Sequence, residues 1–210
     1  MIKFENTEVF NIKGALRGMR NPKNSWDRSD SKQSGDCDCS FVIGEKDMAL
    51  ASRLTIAGPE HAKYLRQIFI SVDITAPLFW WKELDTYKVG VTRNSCSTMH
   101  KIHVSPFDMK SFSTEGIKEC GIYFIHSFKN YMKDLNTLRE LFNDTQEKKY
   151  WRALIEMLPS NYNMKSTITM DYQNARNMFF QRRYHKLDEW KEFCKWIESL
   201  PYASELIIKE

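Results

Sequence analysis

The sequence predicts an α/β protein, and three observations carry that reading. The run "IFISVDIT" at 68–75 is rich in β-branched residues and reads as a strand. From residue 129 onward apolar residues recur at helical spacing. A chain of 210 residues, 42% hydrophobic and 13% aromatic, has the material for a substantial core.

The elements follow in chain order. Residues 2–19 alternate loosely through Ile2, Phe4, Val9, Ile12 and Ala15, and read as one or two strands. Residues 20–40, "RNPKNSWDRSDSKQSGDCDCS", form a long polar loop, and Trp26 within it calls for a docking place. Asp47 suits the cap of a helix through "MALASRLTIA" that stops at Gly58. Pro59 suits the first turn of a second helix, "PEHAKYLRQ". Residues 105–125 are ambiguous. Leu135, Leu138 and Phe142 share one helical face, as do Trp151, Leu154, Ile155 and Leu158, and Pro159 ends that helix. After a Ser/Asn/Thr segment, "DYQNARNMFFQRRYHKL" is helical. The following "DEWKEFCKWIESL" aligns Trp190, Phe193, Ile197 and Leu200.

The totals bound the function. The length suits one domain over residues 1–210. A net charge of +4 does not describe a protein that coats a nucleic acid polymer, but it allows a local basic pocket. No apolar run approaches the roughly 18–20 residues that span a bilayer, and "MIKFENTEVF" has no signal-peptide core, so no membrane partner is expected. Five scattered cysteines, at 37, 39, 96, 120 and 194, suit reduced thiols in a cytoplasmic protein.

Four constellations stand out. "YKVGVTRNSCSTMHK" at 87–101 packs short polar side chains between basic residues, which suits a phosphate or a plain surface loop. "NARNMFFQRR" sets Arg176 and Arg183 nearly two turns apart with Phe179 and Phe180 between them. That face suits a phosphate and a flat base, or an ordinary solvated helix edge. Arg17, Arg20, Asn24, Trp26 and Arg28 arm the loop "RGMRNPKNSWDRSDS" as a lid over such a ligand, with oligomer contact or plain surface as the alternatives. Cys37 and Cys39 lack the spacing and the second pair of a structural zinc site, so no metal is expected. His61, His100, His103 and His185 lie near these segments, but no nucleophile, phosphate-loop or zinc-protease motif appears.

Two segments together resemble the flavin-dependent thymidylate synthases, the ThyX family. That family carries R-H-R-x-x-S-x-N-E-x-S-x-R-Y behind an apolar, proline-led strand, and "APLFWWKELDTYKVGVTRNSCSTMH" has the same layout. With Asn94 as anchor, Thr92 and Ser97 stand at the two signature serines and His100 at the tyrosine. The second segment, "MLPSNYNMKSTITMDYQNARNMFFQRRYHKLDEW", resembles the family's Leu-Pro, Thr-rich stretch, Arg-bearing helix and Trp-bearing helix. The likeness covers roughly half to two thirds of the chain. Of the R-H-R only Lys88 is basic, the signature Glu is Ser95, and the signature Arg is Met99.

The resemblance implies a central, mostly antiparallel sheet surrounded by helices. It also implies a homotetramer, FAD against Lys88, Thr92 and Asn94, and a nucleotide such as dUMP against Ser95, Ser97, Arg152, Arg176 and Arg183. The function it implies is a nucleotide-binding protein, as a flavin-dependent pyrimidine-nucleotide transferase of altered specificity. The alternative is a non-catalytic binder or sequestering protein of the viral or mobile-element kind, and a third reading is a relic scaffold with a protein partner.

Overall fold

The computed structural model describes residues 2–33 and 41–210; Cys37 and Cys39, the thiols of "GDCDCS", lie outside them. The chain begins with β1 (Lys3–Phe10) and α1 (Ile12–Met19). Asn11 between them has φ 66°, a left-handed conformation that Asn tolerates better than most residues, and it turns the chain out of the strand. The expectation of strand throughout 2–19 is therefore corrected over its second half. Ile12, Ala15, Leu16 and Met19 are buried, a spacing of 3, 4 and 7 that belongs to one helical face.

Next come β2 (Lys32–Gln33) and β3 (Phe41–Val42), paired antiparallel, and α2 (Glu45–Ile56). β4 (Phe69–Pro77) alternates as a half-covered strand should, with Ile70, Val72, Ile74 and Ala76 fully buried. α3 (Leu78–Leu84) and β5 (Thr92–Ser95) follow, then α4 (Glu115–Glu119), α5 (Ile122–Thr145) and α6 (Lys148–Glu156). β6 (Asn163–Asp171), α7 (Tyr172–Arg182), α8 (Asp188–Glu198) and α9 (Ala203–Leu206) close the chain.

The larger sheet has the order β1-β4-β6-β5. β4 and β6 run antiparallel: Leu78 N donates to Tyr162 O beyond one end, and Tyr172 N to Ile68 O beyond the other. β1 opposes β4 in the same sense, with Asn6 Nδ2 on Asp73 Oδ2 at 3.0 Å and Asn11 Nδ2 on Gln67 O at 2.9 Å.

The chain divides into two compact units. Unit 1 holds Met1–Lys3, Ile74–Thr86 and Asn94–Ser166. Its core joins Ile102, Phe107, Phe112, Leu135 and Leu154. Trp81, in the same unit, is buried with its indole N–H shared between Ala76 O at 2.9 Å and Met164 O at 3.0 Å, which removes the cost of burying a donor. Unit 2 holds Phe4–Asp73, Tyr87–Arg93 and Thr167–Glu210, with Leu65, Ile68, Tyr172, Trp190, Phe193 and Ile197 in its core.

Candidate functional site

The polar loop after α1 is built around one buried carboxylate. Asp47 is fully buried in α2, two residues inside the helix start, so it is not the cap that its sequence position suggests. Arg20 Nε donates to its Oδ1 at 2.6 Å, and the hydroxyls of Ser29 and Ser31 donate to Oδ2 at 2.6 and 2.5 Å. Burial alone would raise the Asp47 pKa, but the two hydroxyls and the guanidinium outweigh it and hold the carboxyl below its ordinary value. Arg20 also donates to Ser25 O and Arg28 O. Residues 20–31 are thus wound around an internal ion pair, through 3-10 turns at Asn21–Lys23 and Trp26–Arg28. Arg20 is taken up inside the loop it was expected to arm. Trp26 stays half exposed with its N–H on Asn21 Oδ1 at 2.9 Å, and Arg17 is exposed on α1.

This ordered loop forms one wall of a cavity of about 490 Å³ in unit 2. Met19, Asn21, Pro22, Lys23 and Ser25 supply that wall. Leu50, Arg53 and Leu54 of α2 supply a second, and Glu60, His61, Lys63, Tyr64 and Gln67 a third. Gly18 is where α1 passes Gln67: an added Cβ would stand 2.7 Å from Gln67 Oε1. Lys23, Arg53 and Lys63 carry no side-chain hydrogen bond or ion pair among the described residues. Tyr64 is held at the back by Thr55 Oγ1 at 2.7 Å and by donating to Ala51 O at 3.0 Å, and burial pushes its phenol up to about 12. The cavity therefore combines an apolar floor with three uncompensated cations, against Glu60 as the acidic lining residue. That combination attracts an anion with an apolar body. Sequence reading named only His61 of its ionisable lining. Lys23, Arg53 and Lys63 lie on three separate segments, and only the Gly58-Pro59 reversal hints that the third segment returns beside α2.

On α7 the expected Arg–aromatic–Arg face is formed. The Arg176 and Arg183 guanidiniums lie 4.7 and 4.9 Å from the Phe180 ring, whereas Phe179 is buried. Both cations are engaged by the chain's own last residues. Arg176 donates to Ile207 O at 2.5 Å and Lys209 O at 2.6 Å, and Arg183 pairs with Glu210. Burial lowers the Arg176 pKa. Residues 87–91 are pinned to the same helix. Tyr87 donates to Gln181 Oε1 at 3.0 Å and accepts from Arg182 Nε at 2.7 Å. Gly90, at φ 78°, passes so close that a Cβ would stand 2.5 Å from Asn174 Nδ2. Asp171 caps α7 by accepting from Asn174 N at 2.8 Å, and burial raises its pKa.

The remaining candidates have separate places. In unit 2, Lys88 and Thr92 are exposed. In unit 1, Asn94 and Ser95 are exposed, and Ser97 Oγ accepts from Met99 N at 3.1 Å and His100 N at 3.0 Å, closing a turn. Arg152 is exposed and paired with Glu156 at 2.6 Å. His100 and His103 border a small cavity of about 310 Å³ with Phe142 and Trp151. No group of three or more metal-ligating side chains occurs among the described residues, and no helix of the structure is long and apolar enough to cross a membrane.

No protein-family model and no curated protein matches the chain. Solved structures do. Thymidylate synthase X (ThyX) from Helicobacter pylori with FAD and dUMP superposes with a TM-score of 0.70 at 15% identity, over 99% of this chain and 98% of that one. A second structure, flavin-dependent thymidylate synthase ThyX from Helicobacter pylori complexed with FAD and dUMP, gives 0.69 at 14% identity over 98% of each chain. The protein has the ThyX-like fold, as its two sequence segments suggested.

Proposed function

We propose that this protein binds a phosphate-bearing nucleotide in the cavity of unit 2, beneath the loop ordered by Asp47. The observation that carries the reading is the convergence of Lys23, Arg53 and Lys63, none of them paired among the described residues, on an apolar-floored space of about 490 Å³. That volume lies in the range of small-ligand pockets, roughly 300–1,000 Å³. Each charge-assisted hydrogen bond from these cations to a phosphate contributes about 1.5–3 kcal/mol. The ThyX-like fold supports the nucleotide class, because the superposed structures carry FAD and dUMP. Arg176 and Arg183, with Phe180, are proposed as the neighbouring face of the same nucleotide function.

Binding is the conclusion, rather than thymidylate synthesis. The residues that the resemblance assigns to FAD do not fit a flavin pyrophosphate. Lys88, Thr92 and Asn94 are all exposed and supply one positive charge together with one hydroxyl and one amide. Within the cavity, burial pushes the Tyr64 phenol up to about 12, so it stays protonated at neutral pH and is no general base. No chemical step is therefore drawn through a flavin, and a nucleotide-sequestering role is the functional reading.

Isothermal titration of the purified chain with dUMP, dTMP and FAD tests this. Micromolar to low-millimolar binding of a mononucleotide is expected, and Lys63→Ala and Arg53→Ala each weaken it by about tenfold or more. Absence of binding by every nucleotide, or unchanged affinity in both variants, would remove the assignment. A yellow protein that releases FAD on denaturation would return the flavin enzyme to first place.

A further inference from the structure

We propose that unit 2 carries a second ligand site, for an organic cation with an apolar body, such as a quaternary or protonated amine. The site is a cavity of about 980 Å³ bounded by β1, α8 and the turn before α9. Its walls are aromatic: Phe10, Phe41, Trp196 and Tyr202 all line it.

The polar atoms of these walls are already satisfied. Trp196 Nε1 donates to Thr7 Oγ1 at 3.1 Å, and Ser199 Oγ donates to Trp196 O at 2.6 Å. Tyr202 OH donates to Phe41 O at 3.2 Å and accepts from Ile43 N at 3.3 Å. Trp196 is further fixed by stacking on Phe4, with centroids 5.0 Å apart and planes 4° from parallel. Trp196 and Phe41 are buried and form a rigid back wall with no free donor, and the more exposed rings of Phe10 and Tyr202 are the ones that offer a ligand π-surface. Phe10 is 41% exposed, a large apolar ring left on the surface beside this space.

Two further observations give the site its character. Glu8 is the carboxylate among the lining residues, and it has no hydrogen bond or ion pair among the described residues. Glu8 is exposed, and a carboxylate lining the same space as aromatic rings favours a cation, because ring quadrupole and carboxylate attract the same charge. Tyr202 also has φ 56°, a conformation that an aromatic residue rarely adopts. Backbone strain of this kind gathers at binding sites, where the surrounding structure holds it in place. The charge preference is opposite to that of the cavity lined by Lys23, Arg53 and Lys63, so the two sites are chemically independent.

The test is NMR titration of the full ¹⁵N-labelled chain, reading the Trp196 indole N–H, assigned through its loss in Trp196→Phe. The probes are benzyltrimethylammonium, neutral benzyl alcohol and anionic benzenesulfonate. Benzyltrimethylammonium is expected to shift the resonance saturably at a concentration about tenfold below that needed for benzyl alcohol, with benzenesulfonate inert. Glu8→Gln is expected to erase that advantage and leave benzyl alcohol unchanged. Phe10→Ala, at an exposed position that tolerates truncation, is expected to weaken both. Equal response to cation and alcohol, an unaltered cation affinity in Glu8→Gln, or no shift with any probe would each overturn the proposal.

Discussion

Asp47 shows how a single residue sets the shape of a site. It organises four segments: the end of α1 through Arg20, the 3-10 turns through Arg20's carbonyl contacts, the strand entry through Ser29 and Ser31, and α2 itself. Removing one partner of a buried ion pair leaves the other charge uncompensated, at a cost of about 3–5 kcal/mol. Asp47→Ala is therefore expected to lower stability by that amount in denaturant unfolding and to loosen the loop over the basic cavity. The pH dependence has a definite sign. The folded pKa of Asp47 is depressed, so its contribution is complete above the unfolded value of about 4. It is lost as the pH falls through the lower folded value. Arg20→Met should flatten the acid limb of the stability curve, because the guanidinium then no longer favours the ionised carboxyl. An identical acid limb in wild type and variant would show that the pair does not carry this linkage. Sequence reading could name Asp47 as a polar residue at a helix start, but its partners lie 16 to 27 positions away and leave no local signature.

At the scale of elements, the legible parts were those whose burial is periodic. β4, α6 and α8 follow their apolar patterns. α1 was hidden because its four buried residues overlap a loosely alternating run, and only Asn11 in the left-handed region separates strand from helix. β6 was hidden in a Ser/Thr/Asn segment, since Met164, Ser166, Ile168 and Met170 face inward with a polar residue among them. α2 begins at Glu45 and its first amides are capped from outside: Asp30 accepts from Lys46 N at 2.9 Å and Asp47 N at 3.1 Å. Asp30→Ala should destabilise α2 measurably but less than Asp47→Ala, read as faster amide exchange at residues 46 and 47. Gly90 offers a sharper test of the 87–91 segment. Gly90→Ala imposes both a left-handed Cβ and a close approach to Asn174, so a loss of about 1–3 kcal/mol is expected in thermal unfolding. A neutral outcome would mean that the segment moves off α7 at little cost.

At the scale of the molecule, the order of segments specified the ThyX-like fold although the motif residues differ from the family's signature. An apolar strand and helix followed by a polar stretch, then Leu-Pro, then an Arg-bearing helix, is a packing plan, and packing tolerates substitution while pattern and volume persist. The basic cavity was illegible for the converse reason, since its cations converge from sequence-distant segments. The surface of α5 carries the last expectation, the homotetramer that the resemblance implies. This helix of 24 residues buries only Leu135, and its first turn leaves Ile122, Tyr123 and Phe124 at 66%, 72% and 52% exposure. Three adjacent large apolar residues on the surface mark a contact face more often than free solvent exposure. Light scattering behind size exclusion is expected to give a mass several times that of one chain. The double change Tyr123→Glu and Phe124→Glu should lower the assembly state with the helical circular dichroism preserved, because neither ring supports the core. A monomeric wild type would sink the oligomer, and an intact assembly in the variant would move its interface away from the start of α5.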